Sequence, residues 1–140
     1  MAAITLQYIV DGKDFVSCGR ASEQVKQNLK MLAFPAEAVR RIVIAMYEGE
    51  VNMVIHANGG VADVEITETL VRVRLTDTGK GIPDIEQAMK AGFSTAGEEI
   101  RELGFGAGMG LPNMAKYSDS MVINSTVGVG TEVIMEFKLD

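Results

Sequence analysis

Glu48, Asn52 and His56 stand four residues apart in the segment Glu48-Gly49-Glu50-Val51-Asn52-Met53-Val54-Ile55-His56. On a helix each step of four drifts by only about 40°, so the three form one stripe. Arg40 and Ile44 extend it toward the N-terminus. A carboxylate in a cleft can act as general base, taking a proton from a hydroxyl or a water. A carboxamide oxygen suits Mg²⁺, and the metal in turn bridges phosphates. The same stripe also fits a solvated polar helix face. Glu50 competes with Glu48 for the base role, but it lies about 200° around the helix from Asn52. It is therefore expected to be solvated or paired, and the base role falls to Glu48. His56 is expected to support the site or the core rather than to catalyse.

Two glycine-bearing segments follow. Asp77-Thr78-Gly79-Lys80-Gly81-Ile82 comes after an alternating stretch. A carboxylate at a strand end can accept from an exocyclic amine such as that of adenine, and glycines let a base and ribose lie against backbone. Asp-Thr-Gly is also an ordinary turn. Gly104-Phe105-Gly106-Ala107-Gly108-Met109-Gly110-Leu111 precedes a helical stretch, whose first amides would point at an anion. A flexible glycine hinge is the plainer reading. The spacing is not the dinucleotide Gly-x-Gly-x-x-Gly pattern, and no Gly-Lys-Ser/Thr phosphate loop is present.

The elements that must position these residues are legible in the pattern. Ile4 to Val10 reads as a strand, Asp11 to Asp14 as a turn, and Phe15-Val16 as a possible return strand. Ser22 is placed to cap a helix reaching about Leu32, with Val25, Leu29 and Leu32 as its apolar stripe. Phe34-Pro35 breaks it. A second helix is expected from Ala36 to Ala57, ended by Asn58-Gly59-Gly60. Val61–Thr67 and Leu70–Thr76 read as strands joined at Glu68-Thr69, with Val71, Val73 and Leu75 alternating against Arg72, Arg74 and Thr76. A short helix over 83 to 91, a helix from Gly110 to Tyr117, and strands Ser120–Thr126 and Thr131–Leu139 complete the chain. Residues 92 to 103 are polar and glycine-marked, a candidate mobile loop. This order predicts an α/β two-layer sandwich: a mixed, largely antiparallel sheet with helices on one face.

The bulk properties narrow the function. The 140 residues suit one domain, and 47% hydrophobic residues supply one core. A net charge of −6 with no basic run argues against nucleic acid. The single cysteine, Cys18, forms no internal disulfide and is expected to be small and partly buried. No basic n-region leads into an apolar stretch and no apolar run reaches spanning length, so a cytoplasmic protein off the membrane is expected.

The three segments, in this order, resemble the N, G1 and G2 boxes of the Bergerat-fold ATPases: gyrase, the heat-shock chaperone ATPases, sensor histidine kinases and mismatch-repair ATPases. The likeness runs from about Ala36 to Phe137. Within that group the chain looks most like the small serine/threonine kinases of bacterial sigma-factor control, on Gly81-Ile82-Pro83-Asp84, Gly92-Phe93-Ser94-Thr95 and Gly108-Met109-Gly110-Leu111-Pro112. The resemblance implies ATP and Mg²⁺, with Glu48 as base and Asn52 as metal ligand. It implies that Asp77 binds adenine, that Gly79, Gly81 and Ile82 shape its pocket, and that Thr131 supports it. Gly104, Gly106, Gly108, Met109, Gly110 and Leu111 would serve the phosphates, and a lid would span about 83 to 103 of a single domain, 1 to 140. The expected partner is a small anti-anti-sigma-type domain that accepts the phosphoryl group, with a sigma factor or a phosphatase as a second partner and a homodimer as the assembly. Two departures stand out. The stretch Ala96 to Leu103 makes the lid longer than expected for the switch kinases, and His56-Ala57-Asn58-Gly59-Gly60 mixes features of both subfamilies. Arg101 in the lid would reach a γ-phosphate, a partner or only solvent, among Glu98, Glu99 and Glu102. The same residues would also serve a nucleotide-gated binding module or a plain ATPase.

Overall fold

The computed structural model describes residues 3–12, 18–57, 59–82, 84–85, 89 and 110–139. Expectations resting on Phe15-Val16, Gly104, Gly106, Gly108, Met109, Arg101, the side chain of His56 and most of the lid lie outside the described residues.

Strands β1 (Ile4–Asp11), β2 (Gly59–Ile66), β3 (Leu70–Asp77), β4 (Ser120–Thr126) and β5 (Gly130–Lys138) form a five-stranded sheet. Its order is β1-β2-β3-β5-β4, and every ladder among the described residues is antiparallel. The alternation in β3 sorts as the sequence requires: Val71, Val73 and Leu75 are buried. Arg72 and Arg74 stand on the other face, where Arg72 bridges Glu65 at 3.3 Å and Glu136 at 2.7 Å. Each such exposed pair contributes about 0–1 kcal/mol, so burial rather than charge holds the sheet together.

Helices α1 (Arg20–Met31), α2 (Ala36–Ala57) and α3 (Gly110–Tyr117) cover the apolar face. α2 is the central one, flanked by α1 and α3. Pro35 stands immediately before it, where a missing N–H costs nothing, and its carbonyl accepts from Val39 N at 3.0 Å. Ile42, Ala45, Met46, Met53 and Val54 of α2 are fully or nearly fully buried. Each large apolar side chain so covered contributes roughly 1.5–3 kcal/mol. That burial fixes the helix carrying Glu48 and Asn52 against the sheet. α1 ends in a Schellman motif: Ala33 takes φ 62°, and Phe34 N donates to Leu29 O at 3.1 Å. Met89 N donates to Ile85 O at 3.0 Å, and most of the helix expected over 83 to 91 lies outside the described residues.

Gly59 connects α2 to β2 with φ 93°. A Cβ there would run into Val10 O and sit 2.6 Å from Gly12 N, both backbone atoms of the neighbouring chain path. Gly59→Ala is expected to lower unfolding free energy by roughly 2–4 kcal/mol, strain and overpacking together. Urea titration measures it, and an unchanged midpoint would contradict this account of the turn.

Candidate functional site

α2 is the floor of the site. Glu48 is half-buried and faces α3, where Asn113 Nδ2 donates to its Oε1 at 3.5 Å. Asn52, one turn on, is also half-buried and donates from Nδ2 to Met114 Sδ at 3.8 Å. No donor among the described residues takes Asn52 Oδ1. Gly110 opens α3 directly over this carboxamide, since a Cβ on Gly110 would stand 2.9 Å from both Asn52 Nδ2 and Oδ1. The glycine that opens α3 is therefore in contact with the asparagine of α2. Leu111 follows, half-buried and packed on the core.

Asp77 ends β3 and holds a second cluster. Its Oδ1 accepts from Gly79 N at 2.9 Å and from Thr131 N at 3.2 Å, so one carboxylate ties the turn to β5. The register pairs Asp77 with Thr131 directly. Gly79 lies against the last turn of α2, with a Cβ position 2.7 Å from Ala57 Cβ. Gly81 has φ 80° and crosses close to the β4–β5 hairpin, its Cβ position 2.6 Å from Thr126 O. Ile82 N donates to Ser125 Oγ at 2.7 Å, and Ser125 Oγ lies 2.8 Å from Thr131 Oγ1. Gly128 N donates to Lys80 O at 2.9 Å, closing the hairpin onto the loop.

Both glycine segments thus meet one helix. Gly110 touches it at Asn52 and Gly79 at Ala57, five residues or about 7.5 Å apart along the axis. Segments far apart in sequence are thus both anchored on the C-terminal half of α2.

This geometry can be compared with known proteins. Residues 37–140 match the family described as histidine kinase-, DNA gyrase B- and HSP90-like ATPases. The chain belongs to that family. It is 33% identical over 118 residues to serine/threonine-protein kinase RsbT of Bacillus subtilis (strain 168), covering 81% of this chain and 83% of the relative. It is 33% identical over 139 residues to the anti-sigma F factor of Pasteuria penetrans, covering 90% and 88%. The anti-sigma F factor of Caldanaerobacter subterraneus subsp. tengcongensis is 37% identical over 100 residues, 71% of this chain and 62% of that one. Membership in an ATPase family implies use of ATP.

A metal at Asn52 would take one protein oxygen there. Among the described residues no group of three or more His, Cys, Asp or Glu side chains is placed to hold an ion. A carboxamide oxygen with no donor among the described residues would suit Mg²⁺, which keeps waters, better than an ion needing a full protein cage.

Two residues escaped the sequence reading, and a third was read with the wrong surroundings. Asn113 contacts Glu48, and its signal was its place three residues into the helix that Gly110 opens. Ser125 supports both Ile82 and Thr131 and carried no motif. Glu50 is the third. Expected to be solvated or paired, it is 2% exposed and, among the described residues, bound by the neutral donors at the start of α1 rather than by a cation. Ser22 is not the N-cap: α1 begins at Arg20, and Ser22 sits in its first turn. Cys18 is half-buried as expected; burial first, and the Glu50 carboxylate second, push its thiol up to about 11. It is therefore protonated near neutral pH and a poor nucleophile.

Proposed function

We propose that this chain is an ATP-dependent serine/threonine kinase of the sigma-factor control type. Its acceptor is a small anti-anti-sigma-type domain, and a sigma factor or phosphatase is held or released as the nucleotide state changes. The names of the relatives, a serine/threonine-protein kinase and anti-sigma F factors, support this reading. The observation that supports it most is the convergence of Glu48, Asn52 and Gly110 on one face between α2 and α3, with the Asp77 loop on the same helix.

In this reading Asp77 and Thr131 define the adenine end, with Gly79, Gly81 and Ile82 as its walls. Asn52 Oδ1 would hold Mg²⁺, which would supply positive charge to offset that of the phosphates. Gly110 and Leu111, with Gly104, Gly106, Gly108 and Met109 before them, present amides to the phosphates. Glu48 accepts the proton of a serine or threonine hydroxyl as its oxygen bonds to the γ-phosphorus and the bond to ADP breaks. Asn113 stands beside the Glu48 carboxylate, its Nδ2 3.5 Å from Oε1. The segment 83 to 103 closes over the nucleotide and adds to the docking surface. A homodimer and a cytoplasmic setting belong to the same reading. No helix among the described residues is long and apolar enough to cross a membrane.

The test is incubation with γ-labelled ATP, Mg²⁺ and a small anti-anti-sigma-type domain, following both label on the acceptor and free phosphate. Labelled serine or threonine is expected. Phosphate release alone would make the chain an ATPase. Tight ATP-dependent partner binding without transfer would make it a nucleotide-gated binding module.

A further inference from the structure

α1 has no cap of its own. Gly19 precedes it with φ 97° and offers no side chain, yet the first amides of a helix need acceptors. They find one on another helix. Glu50 accepts from Gly19 N at 3.1 Å, Ala21 N at 3.3 Å and Ser22 N at 2.6 Å, and from the Ser22 hydroxyl. Its carboxylate is 2% exposed, and no lysine or arginine among the described residues pairs with it. Amide donors and the positive end of α1 carry the charge instead.

We infer that Glu50 is a positioning residue that sets the rotation of α2 and so aims Glu48 and Asn52. The inference rests on the kinase reading above for its consequence, not for its geometry. Around this turn α2 is gripped on three sides. Glu48 and Asn52 face α3 through contacts of 3.5 and 3.8 Å, which are long and weakly directional. Gly49 faces Leu75 of the sheet and Met114 of α3, apolar contacts with no directional bond. Glu50, about 200° from Asn52, supplies the one strongly directional tie among the described residues, with four donors on a single carboxylate. A carboxylate about 5–6 Å from the helix axis moves about 1 Å for a roll of about 10°. A misplacement of about 1 Å can cost about 100-fold in rate. A tie on the far side of the helix is thus in a position to govern the chemistry.

The experiment uses the full chain and Glu50→Gln, which keeps the shape but turns one acceptor oxygen into a donor aimed at amide N–H groups. First, side-chain amide NMR resonances of Asn52 and Asn113 are compared with wild type without any nucleotide. They are expected to shift although neither residue touches Glu50. Second, transfer per folded molecule is expected to fall about 10- to 100-fold, well below the melting transition. Metal-free ADP affinity, which depends on the Asp77 end, should stay within about threefold. Third, an osmolyte such as sucrose should recover lost thermal stability without recovering the rate. Ser22→Ala, which removes one donor, should give a smaller loss of the same kind and serves if Glu50→Gln does not fold. Unshifted Asn52 and Asn113 resonances overturn the inference whether or not transfer occurs. So does a lower melting point with unchanged rate per folded molecule, which would make Glu50 a cap for α1 only. Absence of transfer in the wild type would instead count against the kinase reading, leaving the resonances to decide the role of Glu50.

Discussion

Glu48→Gln is expected to lower phosphoryl transfer by roughly 10²–10⁴-fold while ATP affinity stays within a factor of about three. Glutamine has the volume of glutamate and still offers Oε1 to Asn113, which donates to that atom at 3.5 Å. What it lacks is the ability to take a proton. The nucleotide contacts proposed for Asp77, Gly79 and Thr131 are made from other strands and turns, and Asn52 keeps its place on α2. Binding and chemistry should therefore separate: the rate falls and the affinity does not. Phosphoryl transfer passes through a loose transition state, in which proton removal is a modest part of the barrier. The lower end of the range is accordingly the expected one. Quantifying label on the acceptor in single turnovers, with ATP affinity measured separately, checks both halves. Transfer that persists undiminished in Glu48→Gln would remove the base and leave Glu48 as an acceptor for Asn113. The variant also tests the water-nucleophile alternative, since phosphate release would need the same base.

The sequence carried the fold because its periods were clean. α2, α3 and β4 fall on the expected residues, and β2, β3 and β5 differ from expectation only at their ends. The shifts have local causes. Gly59 and Gly60 join β2 rather than ending as a turn, because Gly59 pairs with Asp11 across the sheet edge. α1 starts two residues before Ser22 because its acceptor comes from Glu50 and not from its own side chain. The angular argument for Glu50 was sound, since it does lie across the helix from Asn52. What helical periodicity could not supply was the identity of that far side. A surface helix has water there; α2 is central and has α1. An uncapped helix start at Gly19 was the signal, readable only once a capping acceptor is required to exist somewhere in the fold. Contacts such as Ser125 with Ile82 and Thr131 are set by the approach of the hairpin to the loop, a tertiary matter that no local pattern encodes.

The meeting of Gly110 with Asn52 yields the second large effect. Gly110→Ala should weaken Mg²⁺-ATP binding about 5- to 150-fold, the range that corresponds to roughly 1–3 kcal/mol of overpacking. In a helix, alanine for glycine ordinarily stabilises by up to about 1 kcal/mol. Here the added Cβ would sit 2.9 Å from Asn52 Nδ2 and Oδ1, inside contact distance. Without ligand the half-buried carboxamide can turn aside, so thermal stability should change little. If Asn52 holds the metal as proposed, Mg²⁺-ATP binding requires the carboxamide oxygen to turn back toward Gly110, and the clash returns in full. The cost therefore appears in binding and not in folding. Metal-free ADP should bind Gly110→Ala nearly as well as wild type, because the Asp77 end is untouched. Asn52→Ala supplies the decisive comparison. In that background the Cβ of Ala finds space, so Gly110→Ala should add almost no further loss, and the double-mutant cycle should show a coupling of the same size as the single loss. Calorimetric titration of the four proteins with Mg²⁺-ATP measures it. Wild-type affinity in Gly110→Ala, or losses that simply add, would separate the start of α3 from Asn52 and remove the metal role from that asparagine.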